Sequence, residues 1–247
     1  MQFGELRLPE GEGPFPVVVI IHGGCWMAAF NLKHISPLAG AVTGLGLATW
    51  SLEYRRVGDK GGGWPGTFAD VAAGMDFLRV LAAEHPLDLE RIAAMGHSAG
   101  GHLALWLAGR KKLSDSSILY MENPLIPSGV VSLAGIGDLA DAASRKICGT
   151  SVLQLMEGGP NEFPGRYAQG SPDALLPFGV KQVLVQGSLD PIVPVDSARA
   201  YYSKAMERGD DVELDLIKDA GHFELVTPGS IAWPRVRDKL LSLLNFY

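Results

Sequence analysis

The sequence predicts an α/β protein with a mostly parallel sheet and helices on both of its faces. Three observations carry this: short apolar runs spaced along the chain, helical periodicity between them, and no repeat or low-complexity linker that would split them into separate units. The predicted strands are Gly4–Leu8, Val17–Ile21, Leu47–Leu52, Ile92–Met95, Val130–Leu133, Val183–Gln186 and Glu213–Ile217. Most are continuous in apolar residues, the pattern of strands covered on both faces. Between them, Phe68, Val71, Met75 and Leu78 share one helix face, and so do Val236, Leu240, Leu243 and Leu244. Leu103 to Ala108 is apolar all round, which predicts a helix buried against the sheet.

At 247 residues the chain fits one large α/β domain, so residues 1–247 are expected to form a single unit. One stretch breaks the alternation. Gly135 to Pro177 is rich in Gly, Pro, Ser and Asn, with a helix-like piece at Val152–Met156. A long segment directly after a strand is expected to be a small lid-like insertion, here around 135–177.

Composition excludes several classes of function. With 21 Lys and Arg against 27 Asp and Glu the net charge is -6, contrary to a nucleic-acid binder. The chain is 47% hydrophobic and 19% charged, too apolar for disorder. Its longest apolar runs fall short of the ~20 residues of a membrane span, and its opening residues lack a secretory pattern. The expectation is a soluble, cytoplasmic protein that engages neither membrane nor nucleic acid. Two cysteines, Cys25 and Cys148, allow one bridge at most and no disulfide framework. No His, Asp or Cys cluster has ligand spacing, so neither metal nor cofactor is implied.

The strongest motif is Gly96-His97-Ser98-Ala99-Gly100-Gly101, after the strand Ile92–Met95 and before the buried helix. A serine on a sharp strand-to-helix turn needs neighbours without a Cβ, and the helix N-terminus behind it aims N–H groups at developing negative charge. Ser98 is therefore the candidate nucleophile. It needs a base, and of the six histidines His222 is the candidate, in the loop past the last strand. His97 and His102 are read as packing or capping residues, His34 and His85 as solvated, and His22 as tying its own loop together. The imidazole needs a carboxylate. Asp190 follows the strand Val183–Gln186 on the same sheet edge; Asp196 reads better as the N-cap of a helix from Ser197, and Asp219 as a surface charge. In His22-Gly23-Gly24-Cys25-Trp26, two glycines let the backbone turn and expose N–H groups. The candidate oxyanion donors are the N–H groups of Ala99, Gly24 and Cys25. Trp26, Met27 and Phe30 follow that loop and are candidates for an apolar substrate wall, with plain core packing an equal alternative.

Taken together, these pieces resemble the α/β-hydrolase superfamily. Within it they resemble the carboxylesterase group that includes hormone-sensitive-lipase-like esterases and kynurenine formamidase (arylformamidase). The loop His22-Gly23-Gly24-Cys25-Trp26 is similar to the HGGxW of the formamidases, and Trp64-Pro65 with Asp70, Ser171-Pro172 and Leu176-Pro177 also resemble these families. The order Ser98, Asp190, His222 is that of the superfamily's triad. The resemblance implies the α/β-hydrolase fold, lacking the first edge strand of the usual eight because Met1 falls at or inside the second. It also implies an acyl-enzyme hydrolase of small esters or activated amides. Arylformamidase-type amide hydrolysis and a prolyl-oligopeptidase-like peptidase are the alternatives; Ala99 stands where such peptidases usually carry Tyr. An acyltransferase and a non-enzymatic receptor on the same fold complete the set.

Overall fold

The computed structural model describes residues 2–246. Its sheet has seven strands, β1 (Phe3–Arg7), β2 (Phe15–Ile21), β3 (Ala48–Glu53), β4 (Leu87–His97), β5 (Gly129–Leu133), β6 (Lys181–Gly187) and β7 (Val212–Ile217), in the order β1-β3-β2-β4-β5-β6-β7. Each coincides with a predicted run to within a few residues, except that β4 begins five residues earlier. Only β1 is antiparallel, pairing with β3 at one edge; the other pairs are parallel.

The pleat of β2 sorts the core into two layers. Val18 and Ile20 face α1 (Ser36–Thr43) and α9 (Trp233–Leu243), whose Leu38, Ala39, Val42, Val236 and Leu240 are fully buried. Val17, Val19 and Ile21 face the opposite layer, which contains α2 (Gly66–Asp76), α3 (Leu78–Glu84), α4 (Ala99–Gly109) and α8 (Val195–Glu207). Alternate residues of one strand are thus buried on both sides, which is why the run carries no polar position. The predicted face Phe68, Val71, Met75 and Leu78 is wholly buried, although the helix breaks at Phe77 and Leu78 opens α3. Every residue of α4 is buried, as its unbroken apolar stretch requires.

The 135–177 segment is more regular than its composition predicts. It forms α5 (Leu139–Ser144), α6 (Ser151–Met156), α7 (Pro164–Gly170) and a 3₁₀ turn at Pro172–Leu175. Leu139, Val152, Leu155, Met156 and Tyr167 join the α2–α4 core layer. The segment's small and polar residues supply the caps and turns that three short helices need; Asp138, for instance, caps α5 by accepting from Asp141 N–H at 2.9 Å. The predicted N-cap role of Asp196 is also corrected. Helix α8 begins at Val195 with Pro194 in the cap position, and Asp196 lies exposed in its first turn beside Arg199.

Phe68 makes edge contacts with Trp64, His102 and Trp106 at centroid distances of 5.3, 5.7 and 5.1 Å. Phe68→Ala is expected to lower the unfolding free energy by about 3–5 kcal/mol, measured from urea denaturation.

Candidate active site

The sheet changes its direction of growth at β2. The chain lays β3 on one side of β2 and then crosses to lay β4 on the other, and the carboxyl ends of strands flanking such a switch form a natural crevice. Ile21 stands opposite Gly96 in the β2–β4 register, so the loop from His22 and the turn at Ser98 leave the sheet side by side.

Ser98 occupies φ 54°, ψ -118°, between the last residue of β4 and the first of α4. This is a sparsely populated conformation for a side-chain-bearing residue. Its N–H donates to Leu133 O at 2.8 Å, and its carbonyl accepts from His102 N–H at 3.0 Å. A Cβ on Gly100 would run into the carbonyl oxygens of Ile21 and His22, and one on Gly96 into that of Gly100. Ala99, as the first residue of α4, carries an N–H with no acceptor within its helix. The predicted turn is present, and its glycines are required by close backbone approach.

The Gly-Gly corner meets it from β2. A Cβ on Gly23 would lie 2.8 Å from His97 O and 3.3 Å from Ser98 Cβ. Gly24, Cys25 and Trp26 all have positive φ, at 103°, 52° and 57°, closing a turn in which Met27 N–H donates to Gly24 O at 2.9 Å. His22 ties this loop down as predicted: its carbonyl accepts from Tyr54 OH at 2.9 Å, its ring stacks on Tyr54, and its Nδ1 lies 2.8 Å from Gly23 O.

His222 and Asp190 meet from the loops after β7 and β6. His222 Nδ1 is 2.7 Å from Asp190 Oδ2. Gln186, not singled out from the sequence, donates to the same oxygen at 2.9 Å, and the Ile192 and Val193 N–H groups donate to Oδ1 at 2.8 and 2.9 Å. Burial pushes the Asp190 carboxyl up, but the hydrogen bonds led by His222 outweigh it and hold the group below the usual carboxylate range. Asp219 is exposed and takes no part in this contact.

Ser98 and His222 line one cavity of about 120 Å³, together with His97 and with Gly24, Cys25 and Phe30 of the β2 loop. His34, Ile192 and Phe223 complete its lining, and none of these nine residues belongs to the 135–177 segment. Of the three predicted wall residues, Phe30 is therefore on the wall. Trp26 is not: its indole is fully buried and donates to His102 Nδ1 at 3.2 Å. Met27 is half-buried and bridges to Val57 outside the lining. The apolar character of Trp26 serves the core. His34 was expected to be solvated, yet it is half-buried, its Nε2 3.2 Å from His97 Nδ1 and its ring against Phe223. No local pattern around Leu32–His34 signals this, because the contact is made across 63 residues. His102 is a core residue as predicted, its Nε2 2.9 Å from Gly170 O, and burial pushes its pKa down to about 4.

A family model described as BD-FAE matches residues 5–205. The chain belongs to the BD-FAE family. Over 238 residues it is 24% identical to a probable isoprenylcysteine alpha-carbonyl methylesterase, ICMEL1, of Arabidopsis thaliana, covering 90% of this chain and 48% of that protein. The chain thus spans about half the length of the curated relatives it matches. Among solved structures, a truncated carbohydrate esterase from gut microbiota superposes with a TM-score of 0.83 at 20% identity, covering 98% of this chain and 90% of the other. Thermogutta terrifontis esterase 2 phosphoramylated by tabun gives 0.78 at 18% identity, covering 99% and 90%. The α/β-hydrolase fold expected from the sequence is the fold of this BD-FAE chain.

The one bridge that the two cysteines of this BD-FAE chain allow is formed: Cys25 is disulfide-bonded to Cys148, 123 residues away, with Cα atoms 5.7 Å apart. The bridge ties the Gly-Gly corner to the 135–177 segment.

Two outcomes follow. Cys148→Ser should lower the unfolding free energy by about 2–5 kcal/mol relative to the oxidised protein, by calorimetry with and without reductant, since the bridge closes a long loop. The depressed Asp190 carboxyl contributes stability that is fully present above its unfolded pKa and is lost as pH falls through the lower folded value. Asp190→Asn should therefore flatten the acid side of stability against pH in that window, read from urea midpoints.

Proposed function

We propose that this protein is a serine hydrolase that cleaves small carboxylic esters through an acyl-enzyme on Ser98. The observation that carries the reading is the 2.7 Å contact of His222 with Asp190 at a cavity that also holds the strained Ser98 turn. Asp190 accepts a hydrogen bond from His222 Nδ1–H and leaves Nε2 of His222 as the base. Ser98 Oγ attacks the ester carbonyl as His222 takes its proton, and the resulting oxyanion is held by the N–H groups of Ala99 and Gly24, with Cys25 as a further donor. His222 then protonates the leaving alcohol and activates water against the acyl-enzyme.

The relatives support ester hydrolysis. ICMEL1 is described as a probable methylesterase, and the Thermogutta protein as an esterase phosphoramylated by tabun. A cavity of about 120 Å³ with Phe30, Ile192 and Phe223 on its walls favours a short acyl group. We read residues 135–177 as a brace for the Gly-Gly corner, acting through Cys148, in preference to a lid. No helix among the described residues is long and apolar enough to cross a membrane. The disulfide favours an oxidising compartment over the cytoplasmic setting expected from the sequence, because cytosolic thiols are kept reduced.

The test is a panel of p-nitrophenyl esters of increasing acyl length, with a formamide beside them. Turnover should be greatest for the short acyl groups. Ser98→Ala should lower kcat by at least ~10³-fold and abolish labelling by a fluorophosphonate. Undiminished turnover would remove Ser98 from the mechanism, and formamide turnover far above that of the esters would move the reading to an amidase.

A further inference from the structure

A second support for the proposed base runs through His97. His97 is buried, with its Nε2 3.0 Å from the backbone oxygen of His222. A carbonyl oxygen only accepts, so this nitrogen carries a proton. Burial, with lesser contributions from His222 and His34, keeps the His97 pKa well below the ordinary histidine value, so the ring is neutral and its Nδ1 is a lone-pair acceptor. The group facing that lone pair is His34 Nε2 at 3.2 Å, which must then be a donor. The two bonds run in one direction: His34 N–H to His97, and His97 N–H to the carbonyl of His222.

The anchor of this chain is independently fixed. His34 ends a 3₁₀ turn, Leu32–His34, that Asn31 caps through Lys33 N–H at 3.0 Å. Leu32 is buried, and its N–H donates to Glu53 Oε2 at 2.9 Å, at the end of β3. The base loop is thereby tied, through two imidazoles, to a strand on the far side of β2 from Asp190.

We propose that His34 is a positioning residue: by donating to His97 Nδ1 it locks the tautomer in which His97 holds the His222 backbone, and so places the base. The proposal rests on the reading of His222 as that base. Without the donor, His97 keeps a buried acceptor unpaired, an arrangement that is costly in a protein interior. Moving the proton to Nδ1 relieves that acceptor but turns a lone pair toward the His222 carbonyl and drives the loop away. A misplacement of about 1 Å is enough to slow chemistry on the order of 10²-fold.

The test compares wild type, His34→Phe, His34→Gln and Ser98→Ala on p-nitrophenyl acetate, with the same proteins labelled with ¹⁵N-histidine for NMR. In wild type, His97 should show a protonated Nε2 and an unprotonated Nδ1. His34→Phe keeps a ring but has no donor; it should lose that tautomer signature and lower kcat about 10–100-fold, with KM within about threefold. His34→Gln places an amide N–H where Nε2 was, and should restore both the signature and most of kcat. A wild-type His97 protonated at Nδ1 overturns the proposal whether or not the variants fold. So does wild-type kcat in His34→Phe, a loss confined to KM, or failure of His34→Gln to rescue. Each of these outcomes with Ser98→Ala inactive removes only the role of His34; an active Ser98→Ala removes the reading of the site itself.

Discussion

The pairing of β2 with β4 is the constraint on which the rest of the molecule hangs. With Ile21 opposite Gly96, Gly23 comes to lie against His97 and Ser98, and Gly100 lies beneath the carbonyls of Ile21 and His22. A slip of one residue would send Val17, Val19 and Ile21 into the α1–α9 layer and part the Gly-Gly corner from Ser98 at once. Packing and site geometry are therefore set by the same register. The two apolar core layers that enforce it are what allow three glycines at the crossing to be used for close approach without losing the strand order.

Close approach leaves strained backbone on both sides. Cys25, Trp26 and Ser98 all hold positive φ, a conformation that costs of order 1–3 kcal/mol per residue without glycine. Each is over-determined by something outside its own loop. Cys25 is bonded covalently to Cys148, Trp26 is locked by full burial and by its bond to His102, and Ser98 is held by Leu133 O. His102 in turn is fixed by Gly170 O, so the 135–177 segment braces the Gly-Gly corner at two points, one covalent and one through the core. That arrangement explains why a segment contributing no lining residue is nevertheless joined to the site.

Much of this was legible in the sequence because it depends on local pattern. The seven strands follow from apolar runs, and the placement of Ser98, Asp190 and His222 at one sheet edge follows from their positions just past the ends of β4, β6 and β7. What escaped depends on contacts between distant residues. Trp26 looks like a wall residue because it follows the glycine corner, yet the turn at Cys25 and Trp26 rotates the indole into the core. The Cys25–Cys148 pair has no spacing to betray it. His34 and His97 are separated by an intervening strand and three helices, and Gln186 reads as the polar end of a strand until the loop carrying Asp190 folds back over it.

Of five histidines clustered around the proposed site and its supports, His222 has the contacts that suit the role of base proposed for it. Both nitrogens of His102 are engaged, by Trp26 and Gly170 O, and both of His97, by His34 and His222 O. His22 directs Nδ1 at Gly23 O and has Nε2 3.3 Å from Glu53. His34 gives Nε2 to His97, and nothing anionic stabilises its charged form: burial, His22 and His222 all push its pKa down. His222 alone joins a carboxylate at Nδ1 to a place on the cavity wall beside Ser98. A base must gain charge during the reaction; in the proposed mechanism His222 does so against a carboxylate held by Gln186 and by the Ile192 and Val193 N–H groups, while burial pushes the pKa of His34, His97 and His102 down and suits them to a supporting part.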